Sequence, residues 1–182
     1  MHILITGPRG AGKTTLINRV IQEINLPVFG FQTKKEDELA DSVKGSPVYI
    51  YEAGKKRLQI PENLVGYCKD RNFAAMKEVF DRYALKLQEP VPSGHIILLD
   101  ELGFMETGSE AFCNAVFSLL NGQIPLIASV KDKDFPFLNR VRSHKNCHCF
   151  RITEENRDRL FTEVLAVFRK EVEVWKTNHL SP

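Results

Sequence analysis

The chain has 182 residues, 43% hydrophobic and 26% charged, enough for one sizeable core and short for two. A formal net charge of +2, with no long run of Lys or Arg, excludes a charge-driven nucleic-acid or membrane surface as the basis of function. No apolar stretch approaches the roughly 18 residues of a membrane span, and Cys68, Cys113, Cys147 and Cys149 form no C-x-x-C pair, so a cytoplasmic protein with reduced thiols is expected.

In chain order, residues 2–6 are a short apolar, β-branched run that reads as a strand. A glycine-rich loop follows, and then apolar residues at helical spacing from Lys13. Residues 27–33 read as a second strand, with Gly30 as a bulge, and residues 34–46 as a polar loop. Residues 48–52 and 57–60 flank Ala53, Gly54, Lys55 and Lys56, which predicts an inserted β-hairpin. From Phe73 the positions Met76, Val79, Phe80, Tyr83, Ala84 and Leu87 mark a helical face that Pro90 and Pro92 end.

Ile96 to Leu99 are consecutive apolar residues, as in a strand covered on both faces. Then come a helix over 109–120, a strand over 124–130, a charged loop, a short helix over 138–143 and a strand over 147–152. A long helix starts at Glu154 with Thr153 as its N-cap. Strands alternating with helices predict a three-layer α/β domain with a mainly parallel sheet. One domain is expected over 1–177, with 178–182 frayed. The group His144, Cys147, His148 and Cys149 is not expected to bind zinc: a one-residue gap between cysteines is unusual for a structural zinc site, and on a strand His148 faces away from both.

Gly7, Pro8, Arg9, Gly10, Ala11, Gly12, Lys13 and Thr14 fit G-x-x-x-x-G-K-[ST] between an apolar strand and an amphipathic helix. In that setting glycines let backbone N–H groups turn toward a polyphosphate, and the helix start adds its own free N–H groups and positive dipole end. Lys13 is expected at the β- and γ-phosphates and the Thr14 hydroxyl on magnesium. Arg9 either touches phosphate or is solvated; Thr15 caps, packs or approaches the α-phosphate.

The second motif is acidic. Asp100 and Glu101 follow the apolar strand where it emerges, and in an open parallel sheet ligands bind at that carboxyl edge. Asp100 fits a residue that orients magnesium or its water. Glu101 fits a base that aligns and deprotonates the attacking water. Without the loop, both would read as solvated acids at a strand end.

These residues resemble the small P-loop nucleoside-triphosphatase family that includes human and microbial members. The likeness rests on the P-loop, on Gly30-Phe31-Gln32-Thr33, on Asp100-Glu101-Leu102-Gly103-Phe104-Met105-Glu106, and on Leu138-Asn139-Arg140-Val141-Arg142 leading to Ile152-Thr153-Glu154-Glu155-Asn156-Arg157-Asp158. The resemblance implies a RecA-like core and slow, magnesium-dependent hydrolysis of ATP, GTP and other nucleoside triphosphates to diphosphate and phosphate. The chain departs from the family pattern in its polar loop after Thr33, in its glycine-poor hairpin, and at Phe104, where many members carry a lysine; a cationic contact is expected to be absent there.

Arg140 and Arg142 either supply charge to the transition state or are solvated. Glu106 positions a helix or a water near the site, or only caps the next turn, and Phe135, Phe137 and Phe150 line a base pocket or belong to the core. Two alternative readings are a small-molecule kinase, which would need an arginine-rich lid and an acceptor pocket, and a nucleotide-dependent switch.

Overall fold

The computed structural model describes residues 1–69 and 72–179. Its strands are β1 (His2–Gly7), β2 (Val28–Lys35), β3 (Ser46–Glu52), β4 (Leu64–Lys69), β5 (Asn72–Ala75), β6 (Ile96–Leu102), β7 (Leu126–Lys131) and β8 (Cys147–Arg151). The helices are α1 (Lys13–Ile24), α2 (Lys77–Leu87), α3 (Glu110–Asn121), α4 (Pro136–Arg142) and α5 (Arg157–His179). The strands form one sheet in the order β5-β4-β3-β2-β6-β7-β1-β8. From β2 to β8 all neighbours are parallel, whereas β2, β3, β4 and β5 pair antiparallel.

This is the three-layer, RecA-like α/β fold with an antiparallel insertion. Two apolar layers cover the sheet. Leu16, Ile17 and Val20 of α1 join Leu160, Val164 and Phe168 of α5 over Ile3, Ile5 and Ile127. On the other face, residues of α2, α3 and α4 pack over Leu4, Leu99 and Ala128. Alternate residues of β1 and β7 thus enter opposite cores, so their apolar runs are continuous. Strand β7, which stands between β1 and β6, brings its carboxyl end between the glycine-rich loop and the acidic pair.

Several sequence expectations are corrected. The second arm of the insertion is β4, not residues 57–60. Leu58 and Ile60, whose alternation suggested a strand, are exposed, while Val65, beside the strand-weakening Gly66, is fully buried. The helix expected from Phe73 begins at Lys77, after β5. Strand β2 runs on to Lys35, so the polar loop is shorter. Gly30 is not a bulge: it pairs in register with Leu98, and at φ 126° a Cβ there would lie 2.2 Å from the Leu98 carbonyl oxygen.

At the C-terminal end, Thr153 is not the cap of α5. A turn intervenes in which Asn156 Oδ1 accepts the Thr153 N–H at 2.8 Å and Asn156 Nδ2 donates to the Arg151 carbonyl at 2.9 Å. Helix α5 includes Asn178 and His179; the rest of the segment expected to fray, 180–182, lies outside the described residues.

Candidate nucleotide site

The loop from Gly7 to Gly12 joins β1 to α1 with φ of 146° at Gly7, 83° at Gly10 and 99° at Gly12, values that L side chains rarely adopt. Gly7 has a second constraint: a Cβ there would sit 2.3 Å from the Ile152 carbonyl oxygen. Gly12 starts α1 without a side-chain cap, and no acidic residue stands in the first turn. The N–H groups at the helix start are thereby left to an anion. Lys13 reaches back across the loop, its Nζ donating to the carbonyls of Gly7 and Pro8 at 2.9 Å each. Arg9 and Thr15 are exposed on the loop and on α1, and Ala11 is buried.

Asp100 is brought to the loop from β6. It is 3% exposed, and its Oδ1 accepts from Thr14 Oγ1 at 3.2 Å and from Ser129 Oγ at 2.7 Å. Burial raises its pKa, opposed by those two hydroxyls and by the more distant charge of Arg57. A buried carboxylate beside a threonine hydroxyl is a donor set for a hard cation, which takes oxygen ligands and is commonly held by one or two protein oxygens together with phosphates. Thr14 and Asp100 fit such an ion. Among the described residues no group of three or more His, Cys, Asp or Glu side chains gathers elsewhere, and Cys147 and Cys149 face the core while His148 is exposed on the other side of β8.

In a regular strand Glu101 would point to the opposite face from Asp100. Here the β6–β7 register shifts between Leu99 and Leu102, and Glu101 has φ 74°. A bulge re-aims the side chain. The Glu101 N–H donates to Ser129 Oγ at 2.6 Å, so one hydroxyl holds both the strained backbone of Glu101 and the carboxylate of Asp100. Glu101 Oε1 lies 3.5 Å from Lys131 Nζ.

Lys131 closes the site from β7. In the sheet register it is the partner of Gly7, and its Nζ lies 5.2 Å over the ring of Phe104. The cation expected to be missing at Phe104 is thus supplied from a different strand. Burial lowers the pKa of Lys13; Lys131 adds to that effect, while Glu101, Asp132 and Asp100 oppose it.

Glu106 is buried, and its Oε2 accepts the Gly103 N–H at 3.1 Å. Its role is to tie the turn after β6. Burial pushes its carboxyl up to about 7.

The two arginines of α4 are engaged elsewhere. Arg142 donates to the carbonyls of Lys131 and Lys133 at 2.7 and 2.8 Å, and the Arg140 guanidinium stacks on Phe117 at 4.4 Å. Phe137 and Phe150 are core residues, and Phe135 stacks on Phe104 at 5.7 Å.

Ser129 and Lys131, which the sequence did not single out, are the further side chains that the structure brings to Asp100 and Glu101. For Ser129 and Lys131 a signal existed, since polar residues at the end of a buried parallel strand face the ligand edge.

Known proteins resemble the chain in sequence and in fold. The profile of the family described as "NTPase" matches residues 2–165. The chain is 28% identical to the nucleoside-triphosphatase THEP1 of Thermotoga petrophila, over 93% of each chain. It is 27% identical to the human cancer-related nucleoside-triphosphatase, over 90% of this chain and 94% of the relative. Among solved structures, the crystal structure of THEP1 from Aquifex aeolicus superposes with a TM-score of 0.69 at 21% identity, covering 92% of this chain and 99% of that one. The solution structure of the human protein gives 0.63 at 23% identity, covering 91% and 96%.

Proposed function

The chain belongs to the NTPase family matched over residues 2–165, a family of nucleoside-triphosphate-hydrolysing enzymes. From that premise we propose that it is a single-domain, magnesium-dependent, cytoplasmic nucleoside-triphosphatase that takes ATP, GTP and other nucleoside triphosphates to the diphosphate and phosphate. The observation that carries this reading is the meeting of three groups from two elements distant in sequence: Thr14 at the start of α1, and on β6 Asp100, 3.2 Å from it, with Glu101 turned to the same edge by its left-handed backbone.

In this reading the loop amides from Gly7 to Thr14 and the Lys13 ammonium hold the β- and γ-phosphates. Lys13 gives up its contacts to the Gly7 and Pro8 carbonyls as the phosphates arrive. Thr14 and Asp100 would hold magnesium, which when bound would draw charge from the phosphate oxygens. Glu101 accepts a proton from a water aligned with the γ-phosphate, and that water's oxygen forms its bond to phosphorus as the bond to the leaving diphosphate breaks. The nucleoside is left to the loops, in keeping with a site built to grip phosphate and accept several bases.

A kinase would need arginines over the phosphates, and both arginines of α4 are committed to other contacts. The test is phosphate release from a panel of nucleoside triphosphates with magnesium, with and without nucleoside acceptors. Acceptor-independent release is expected, abolished in Lys13→Ala together with binding. In Glu101→Gln it should fall by about 100-fold or more with binding retained. Diphosphate that forms only when an acceptor is added, with the phosphoryl group carried on the acceptor and no free phosphate, would overturn the reading.

A further inference from the structure

Phosphoryl transfer needs positive charge on the γ-phosphate side opposite the P-loop, and the two arginines that sequence reasoning offered for that place do not reach it. We propose that Lys131 does: its ammonium contacts the terminal phosphate of the bound triphosphate and stabilises the charge that builds there as the phosphate passes to water. This rests on the triphosphatase reading for the identity of the acceptor, and on the P-loop alone for the position of the phosphate.

Three independent placements support it. Lys131 is the register partner of Gly7, so its backbone stands beside the first residue of the phosphate loop. Its Nζ is 3.5 Å from Glu101 Oε1, the group on the water side of the phosphate. The Phe104 ring lies under the same Nζ at 5.2 Å, which holds the ammonium at the turn that follows Glu101. The ammonium therefore stands beside Glu101 on the strand next to the loop, at the edge to which a terminal phosphate held by the loop would come.

The residue is also held in place and only partly solvated. Arg142 Nη1 fixes the Lys131 carbonyl at 2.7 Å, and 31% of the side chain is exposed. At 3.5 Å the contact to Glu101 is looser than the neighbouring Arg151–Asp132 pair at 2.7 Å, so moving the ammonium onto a phosphate oxygen gives up little. Besides burial, the charge of Lys131 lowers the pKa of Lys13, so the two ammonium groups repel each other, and a polyanion that reaches both relieves that repulsion. Lys131 transfers no proton. The water oxygen bonds to phosphorus, the water's proton goes to Glu101, and the diphosphate leaves with the electrons of the broken P–O bond.

The alternative role for Lys131 is purely to position Glu101, and the two are separable with Lys131→Met, which keeps the stem over Phe104 and removes the charge, and with Lys131→Arg. Two quantities are measured: kcat, and the ratio of affinities for a nonhydrolysable triphosphate analogue and for the diphosphate. If Lys131 touches the terminal phosphate, Lys131→Met lowers kcat by about 100-fold or more and selectively weakens the triphosphate analogue by about tenfold. Diphosphate binding stays within about twofold, and Lys131→Arg recovers part of both losses.

A fall in kcat with an unchanged affinity ratio would overturn the contact and leave a positioning residue. Parallel loss of both ligands would overturn it as well. Because the affinity ratio needs no turnover, wild-type protein that required an acceptor other than water would refute the triphosphatase reading while the ratio still decided for or against Lys131.

Discussion

Ser129→Ala tests whether one hydroxyl organises both acidic residues. Ser129 is 1% exposed; its oxygen donates to Asp100 at 2.7 Å and accepts from the Glu101 N–H at 2.6 Å. Losing a bond to a buried carboxylate costs about 1.5–3 kcal/mol, and leaving the N–H without its acceptor about 1–3 kcal/mol more. Relaxation of Glu101 from its left-handed conformation returns on the order of 1 kcal/mol. The expected net loss is about 3 kcal/mol, or a fall in Tm of about 6–12 °C for a chain of this size.

A second effect distinguishes this serine from any other buried hydroxyl. The Ser129 bond opposes the burial that raises the Asp100 pKa, so its removal raises that pKa further and the magnesium needed for half-maximal hydrolysis rises. Thermal melts and a magnesium titration of phosphate release measure the two effects. A Tm within about 2 °C of wild type, with unchanged magnesium dependence, would refute the reasoning.

Glu106→Gln addresses pH dependence. Burial raises the folded-state pKa of Glu106 to about 7, so between the ordinary carboxyl range and that value the folded protein binds more protons than the unfolded chain, and stability falls as pH rises. The variant should lack this contribution, and urea melts at pH 5 and pH 8 should show the stability difference between the two proteins shifting by about 3 kcal/mol in favour of glutamine; parallel profiles would refute it. Gly7→Ala places a Cβ 2.3 Å from the Ile152 carbonyl oxygen at φ 146° and should cost more than about 3 kcal/mol, read as a Tm loss by calorimetry, with near-wild-type melting the contrary result. Arg140→Ala removes only a stacking contact on Phe117; kcat within about twofold of wild type is expected, and a loss above about tenfold would return this arginine to the chemistry.

The legible parts of the sequence are those whose signal is local. The glycine-rich loop announces itself because its glycines, lysine and threonine are consecutive, and because strand and helix periodicities flank it directly. Asp100 could be placed at the ligand edge because four apolar residues before it define a buried strand and its carboxyl end. The antiparallel insertion was anticipated, but its second arm was not: Leu58 and Ile60 alternate like a strand although both are exposed, and Gly66 interrupts the true one.

By itself, the sequence determined the glycine-rich loop, the alternation of strands and helices and the acidic strand end, since each is encoded by neighbouring residues whose spacing sets local backbone geometry. Only the tertiary structure decided that β7 stands between β1 and β6, that Glu101 turns to the same edge as Asp100, and that Lys131 rather than Arg140 or Arg142 faces them. These depend on which strands pair and in what register, on a single hydroxyl from β7 catching the N–H of Glu101, and on guanidinium groups finding nearer partners. Hydrophobic periodicity records which side chains are buried and is silent about which distant strand buries them.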